Sequence, residues 1–215
     1  MVRIVVVDDE ALVRRGFELM LGHASDLEVV AAVSGGEAYD TVSRLAPDVV
    51  LLDIRMPDVD GLTLLDKFTR MPSPPVVAML TTFDSDEYIA HALRRGAAGF
   101  LVKDTDPDHL VQLVRSLAEG GVVLSPKVAS QVVSGFLGGV AVDDLGTERL
   151  SPREREVLVL LADGLSNLEI GRTMHLSVGT VKDHVSALLA KLGVANRVQA
   201  ALVAQRAGLL EERPQ

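Results

Sequence analysis

With 215 residues the chain is long enough for one large domain or two small ones, and its 48% hydrophobic content supplies a core that must be largely aliphatic, since there are two Tyr, five Phe and no Trp. The absence of cysteine excludes disulfides, thiolate nucleophiles and Cys-based zinc sites. The net charge of −9 is unevenly spread: residues 1–124 hold 11 basic against 20 acidic side chains and residues 150–215 hold 8 against 7, so any nucleic-acid contact has to come from cations gathered on one face of the second half. The start of the chain, MVRIVVVDDE, lacks the basic, long apolar and small-residue segments of a signal peptide. No apolar run approaches the roughly 20 residues that span a bilayer. The expectation is a cytoplasmic protein with no membrane partner.

Residues 1–122 alternate β-branched runs with amphipathic helical patterns. Strands are expected at 4–7, 29–33, 49–52, 76–80 and 99–102. Runs such as VVLL at 49–52 are apolar on both faces, which predicts a five-stranded parallel sheet covered by helices on both sides. After Gly120 and Gly121, Ser125 and Pro126 open a short helix ended by Gly138 and Gly139, followed by the aperiodic stretch GVAVDDLGTERL. This gives a domain at 1–122, a linker with a short helix at 123–148 and a second domain at 149–212. In the second, Ser151 with Glu154 and Ser166 with Glu169 are capping boxes, a third helix starts at Ser177, and a fourth runs over about 195–207. Four short helices with tight turns suit a helix-turn-helix.

Asp8 and Asp9 close the first expected strand and Asp53 the third, so all three reach one sheet edge. Carboxylates crowded there repel one another unless a divalent cation neutralises them, and an all-oxygen donor set suits Mg²⁺. The loop DDEALVRRG has no glycine-rich cradle, which argues against a nucleotide phosphate bound directly. Thr81 and Lys103 follow the fourth and fifth strands, where both can donate to an oxyanion. A carboxylate nucleophile, a metal, a hydroxyl and an ammonium meeting at one point are what phosphoryl transfer needs.

These residues, with LLDIRMP at 51–57, Gly61 and GAAGFLVK at 96–103, make residues 1–122 resemble the receiver domain of bacterial two-component response regulators. The resemblance implies a flavodoxin-like α/β fold with a five-stranded doubly wound parallel sheet, Asp53 as phosphoacceptor, and Mg²⁺ bound by Asp9, Asp53 and the backbone carbonyl of Arg55, with Asp8 assisting through water. Thr81 and Lys103 would hold the phosphoryl oxygens and Phe100 would be the switch aromatic. One departure is Asp104, where many receivers carry a cis-proline. A rival reading, an Asp-nucleophile phosphohydrolase, requires a second carboxylate two residues beyond the nucleophile, and that position is Arg55. A second rival, a regulator whose receiver has lost phosphorylation, would lack one of the Asp or Lys residues, and none is missing.

On the third helix of the second domain Val181, Val185, Leu188 and Leu192 share one face, so Gly179, Asp183, Ser186 and Ala190 point outward with Thr180, Lys182 and Ala187 beside them. Such a small polar face can enter a DNA major groove: Lys182 can reach phosphate or guanine, Thr180 a phosphate, and Asp183 the cytosine N4 donor. His184 is read as packed or phosphate-adjacent rather than metal-ligating. Lys191 and Arg197 are either solvated charges or phosphate contacts. The fourth helix is apolar on two sides, Val198, Ala201 and Leu202 against Ala200, Val203, Ala204 and Ala207, and a homodimer through the second set is expected; burial of both sides within the chain is the alternative.

The segment LSPREREVLVLLADGLSNLEIGRTMHLSVGTVKDHVSALLAKLGVANRVQAA resembles the LuxR-type helix-turn-helix of the NarL/FixJ subfamily, departing from it at Leu168, Gly179 and Asp183. Together the two resemblances imply an α/β receiver followed by an all-α four-helix DNA-binding domain. They imply a transcription factor rather than an enzyme: a sensor histidine kinase phosphorylates Asp53, and the active homodimer binds a double-stranded DNA operator, with RNA polymerase a further partner.

Overall fold

The structure, a computed structural model, describes residues 1–81, 86–121, 123, 146–194 and 196–210. The helix expected from Ser125 to Phe136 lies outside these residues. Strands β1 (Val2–Val7), β2 (Leu27–Val33), β3 (Val49–Asp53), β4 (Val76–Thr81) and β5 (Gly99–Val102) form one parallel sheet in the order β2-β1-β3-β4-β5. Successive strand side chains face opposite sides of the sheet. Ile4, Val6, Val49 and Leu51 therefore pack with Phe17 of α1 (Ala11–Leu21) and Leu110 and Val114 of α5 (Pro107–Ala118). Val5, Val7, Val50 and Leu52 pack on the other side, with α2 (Gly35–Leu45), α3 (Gly61–Thr69) and α4 (Asp86–Arg94). Every residue of β3 is buried, which is why its sequence shows no alternation.

The strand order reverses between β1 and β3, and there the C-terminal strand ends form the crevice in which open α/β sheets bind their ligands. Register decides who meets whom. Val7 pairs with Leu52, so the following residues, Asp8 and Asp53, stand side by side; Thr81 pairs with Val102, so Lys103 comes next to them.

A 3₁₀ turn at Thr147–Arg149 leads into the second domain, α6 (Pro152–Ala162), α7 (Asn167–Met174), α8 (Val178–Leu192) and α9 (Arg197–Arg206). Both capping boxes form, Ser151 with Glu154 and Ser166 with Glu169, and Ser177 and Asn196 cap the last two helices through the N–H groups of Thr180 and Gln199. His175 in the left-handed region (φ 56°) turns the chain from α7 into α8. Val157, Leu158, Leu161, Ile170, Val181, Leu188, Ala200 and Ala204 fill the core of this domain. Among the described residues no single helix is long and apolar enough to cross a membrane.

The two domains are in contact. The Asn196 side-chain amide donates to the carbonyls of Leu93 and Ala97 at the C-terminal end of α4, at 2.9 Å each, and Gln199 Nε2 donates to Leu93 at 2.7 Å. The backbone N–H of Asn167 donates to the Glu119 carbonyl just past α5. Val198 is buried against the receiver core, and Leu202 packs beside it.

Candidate phosphorylation site and DNA-facing helix

Asp53 ends β3 with its side chain 7% exposed, and Asp8, which follows β1, is fully buried. The Lys103 ammonium bridges them, 2.9 Å from Asp8 and 3.1 Å from Asp53, with Glu10 farther off at 3.8 Å. Burial pushes the Asp53 carboxyl above its ordinary value, opposed by the bond and charge of Lys103 and aided by the neighbouring Asp8. Burial would lower Lys103, but its bonds to Asp8 and Asp53 and their charges together outweigh it, and its pKa lies above the ordinary value. The lysine thus stays charged and compensates two buried carboxylates.

Carboxylate oxygens of Asp8, Asp9 and Asp53 all lie within 4.8 Å of one another, and Asp9 is exposed, which leaves the cluster open on one side. Three hard oxygen donors with no Cys or His among them fit a small divalent cation such as Mg²⁺. The recess around them, about 250 Å³, is lined by Asp9, Glu10, Asp53, Arg55, Thr81 and Lys103. Phe100 on β5 is buried in the core beneath α4. Gly61 has a steric reason to be glycine: a Cβ there would sit 2.1 Å from the Asp53 carbonyl oxygen, so α3 could not start so close to the site. All peptide bonds of the described residues are trans, including the one after Lys103.

Sequence reasoning passed over Arg14. From α1 its guanidinium donates to the backbone carbonyls of Asp8 and Asp9, while the Glu10 N–H donates to Asp8 Oδ1. These bonds shape the loop that carries two of the three acids. The signal was an arginine one turn into the helix after the acidic pair, indistinguishable in sequence from a solvated charge.

On α8, Gly179, Lys182, Asp183, Ser186 and Ala190 are exposed, as the face analysis expects, and Thr180 and His184 are half-buried. The Thr180 and Ser177 hydroxyls share a hydrogen bond, and Ser186 bonds back to the Lys182 carbonyl. Lys182, Val185 and Ser186 line a cavity of about 490 Å³ whose other wall is the receiver, at Ala46, Pro47, Asp48 and Ser73 to Val76. One edge of the outward face of α8, at Lys182 and Ser186, therefore looks toward the receiver in this arrangement.

Three expectations for this domain need correction. Lys191 is not a free charge, because its ammonium pairs at 2.7 Å with the buried Glu154 and draws that carboxyl down to about 2, helped by the Ser151 N–H and hydroxyl. Arg197 is not solvated either: it is 7% exposed, donates to the Leu165 carbonyl, leaves Nε and Nη1 without hydrogen-bond partners among the described residues, and is lowered to about 10 by burial. The third concerns the face of α9 assigned to a second copy. Ala200 and Ala204 are fully buried in the core of their own domain, Val203 is buried and Ala207 half-buried, while the opposite face, Val198 and Leu202, is covered by the receiver. The surplus apolar surface has a partner within the chain.

Residues 4–115 match the family model of the response regulator receiver domain, and residues 148–204 that of the bacterial regulatory proteins of the luxR family. The transcriptional regulatory protein LnrK of Bacillus subtilis is 38% identical over 97% of this chain and 99% of its own, and the oxygen regulatory protein NreC of Staphylococcus aureus is 35% identical over 97% and 99%. Among solved structures, the response regulator ChrA of a heme-sensing two-component system covers 97% of this chain and 98% of its own at 35% identity and a TM-score of 0.52. The receiver domain of the putative regulator NarL from Mycobacterium tuberculosis, also 35% identical, covers 55% of this chain and 97% of its own at a TM-score of 0.53. The chain belongs to the response regulators that join a receiver to a LuxR-type DNA-binding domain, transcriptional regulators of two-component systems.

Proposed function

We propose that Asp53 is the residue phosphorylated by a sensor histidine kinase and that the phosphoryl group frees α8 to bind an operator in double-stranded DNA. The observation that carries this reading is the Lys103 ammonium held between the Asp53 and Asp8 carboxylates at the mouth of an acidic recess. Asp53 presents a carboxylate oxygen to the phosphorus of a kinase phosphohistidine; an O–P bond forms, the N–P bond breaks, and the electron pair leaves with the imidazole. Asp8, Asp9, Asp53 and the Arg55 carbonyl would hold Mg²⁺, which would neutralise the cluster and polarise the phosphoryl oxygens. Lys103 would stay within reach of the new oxyanion, and Thr81, which ends β4 and lines the same recess, would donate its hydroxyl to it. Such a regulator meets its kinase and the chromosome in the cytoplasm.

The output side rests on the docked arrangement. While Asn196 and Gln199 hold the end of α4, the receiver stands opposite Lys182 and Ser186 and would obstruct their entry into a groove. Once released, Lys182 and Asp183 would reach phosphates and base edges, and the Val198–Leu202 face of α9, no longer covered, becomes the surface on which a second copy can sit. Incubation with ³²P-labelled acetyl phosphate tests the acceptor: label should enter the full chain only with Mg²⁺ present and should be absent from Asp53→Asn. Equal labelling of that variant, or labelling indifferent to a chelator, contradicts the assignment.

A further inference from the structure

Among the described residues two cations, Lys103 and Arg55, line the recess at Asp53. Lys103 bridges the buried acids; Arg55, two residues beyond Asp53 in the loop after β3, lines the same recess but pairs with no carboxylate among the described residues. Its guanidinium lies instead over the ring of Tyr88, 5.2 Å from the centroid. Tyr88 stands in the first turn of α4, a helix about 13 Å long. At the other end of that helix Leu93 and Ala97 accept the hydrogen bonds of Asn196 and Gln199 that hold the DNA-binding domain. One helix is thus gripped at the site by an arginine and at the seam by two amides.

Charge decides what the arginine does next. At rest the carboxylates of Asp8, Asp9, Glu10 and Asp53 surround Lys103, and a divalent cation bound there would still leave the set with one negative charge in excess. Phosphorylation replaces the single charge of Asp53 with a phosphoryl group of nearly two. Among the described residues, Arg55 is the remaining cation on the wall of the recess that can answer the added negative charge. A charge-assisted bond from a guanidinium to phosphoryl oxygens is stronger than its contact with a partly exposed ring. We propose that Arg55 is a positioning residue that senses the phosphoryl group: its guanidinium leaves Tyr88 for the phosphoryl oxygens, the start of α4 is released, and the grip on Asn196 and Gln199 loosens. This deepens the function proposed above and rests on Asp53 being the acceptor.

Because the chain has only two tyrosines, Tyr39→Phe leaves Tyr88 as the sole reporter. The full-length Tyr39→Phe chain, labelled with 3-fluorotyrosine, is titrated with Mg²⁺ and beryllofluoride, a phosphoryl mimic, and followed by ¹⁹F NMR. The Tyr88 resonance should shift on loading. In Arg55→Met it should start near the loaded position and stay there, while Arg55→Lys should shift in part. The same spectrum shows the fluorines of bound beryllofluoride, which separates the two claims: no bound mimic overturns the acceptor reading and with it this proposal. Bound mimic with an unmoved Tyr88, or with an equal shift in Arg55→Met, overturns the proposal alone. As a second readout, Tyr88→Leu should raise operator binding by the unphosphorylated chain several-fold and Tyr88→Phe should not; equal behaviour of the two also refutes the coupling.

Discussion

Asn196→Asp separates domain docking from domain folding. As N-cap of α9, Asn196 accepts the Gln199 N–H through Oδ1 at 3.0 Å, and an aspartate does this equally well, so the helix keeps its cap. The other side-chain atom, Nδ2, donates at 2.9 Å to the carbonyls of Leu93 and Ala97; in aspartate it becomes a second carboxylate oxygen facing two carbonyl oxygens. Losing two hydrogen bonds at about 1 kcal/mol each, and leaving buried acceptors against a charge for at least about 1 kcal/mol more, disfavours the docked state by roughly 3 kcal/mol. That is on the order of a hundredfold in the docked-to-released ratio. In an Asp53→Asn background, where no phosphoryl group can enter, the added Asn196→Asp should bind operator DNA far more tightly than its parent in gel shifts. Small-angle scattering should show a larger radius of gyration. Unchanged operator affinity and unchanged radius, with both domains still melting as before, would refute the view that this amide holds the chain closed.

Two further outcomes follow from the second domain. Glu154 has its carboxyl drawn down to about 2 by Lys191, so the stabilisation is fully present above the unfolded value near 4.5 and is lost as pH falls through about 2. Lys191→Ala should therefore cost roughly 1 to 2 kcal/mol at pH 7, allowing for the partial exposure of the lysine, and the gap between variant and parent in denaturant melts should narrow from pH 4.5 downward; a pH-independent gap contradicts the pairing. Lys182→Ala should weaken operator binding of the phosphorylated chain by roughly 1 to 3 kcal/mol and, if the contact is to phosphate, reduce the salt slope by about one. The same substitution should leave melting unaltered, since the side chain is exposed.

Where the sequence was informative, the signal was local. Asp8, Asp9, Asp53, Thr81 and Lys103 each sit at the end of a β-branched run, and parallel strands necessarily bring such ends to one edge. Capping boxes at Ser151 and Ser166 span four residues each and could be read the same way. What escaped reading depends on partners far apart in the chain. The apolar excess of α9 correctly signalled two packing surfaces, but its second partner is α4, about a hundred residues upstream, and no periodicity names a partner. Lys191 and Arg197 look alike in sequence; one meets a buried glutamate 37 positions earlier and the other is enclosed at the domain seam. The side-chain contacts of Arg14 and Arg55 were invisible for the same reason, since a long charged side chain reveals its contact only once the fold places something beside it.

The central claim is that one phosphoryl group on Asp53 governs access of α8 to DNA. The most direct test is the operator affinity of the full-length chain, measured by fluorescence anisotropy on the same labelled duplex with and without Mg²⁺ and acetyl phosphate, beside Asp53→Asn. Affinity should rise at least tenfold on phosphorylation of the parent and remain at the low value for the variant under both conditions. Equal affinity of the parent in both states despite stoichiometric label, or a phosphodonor-dependent rise in Asp53→Asn, would contradict the account.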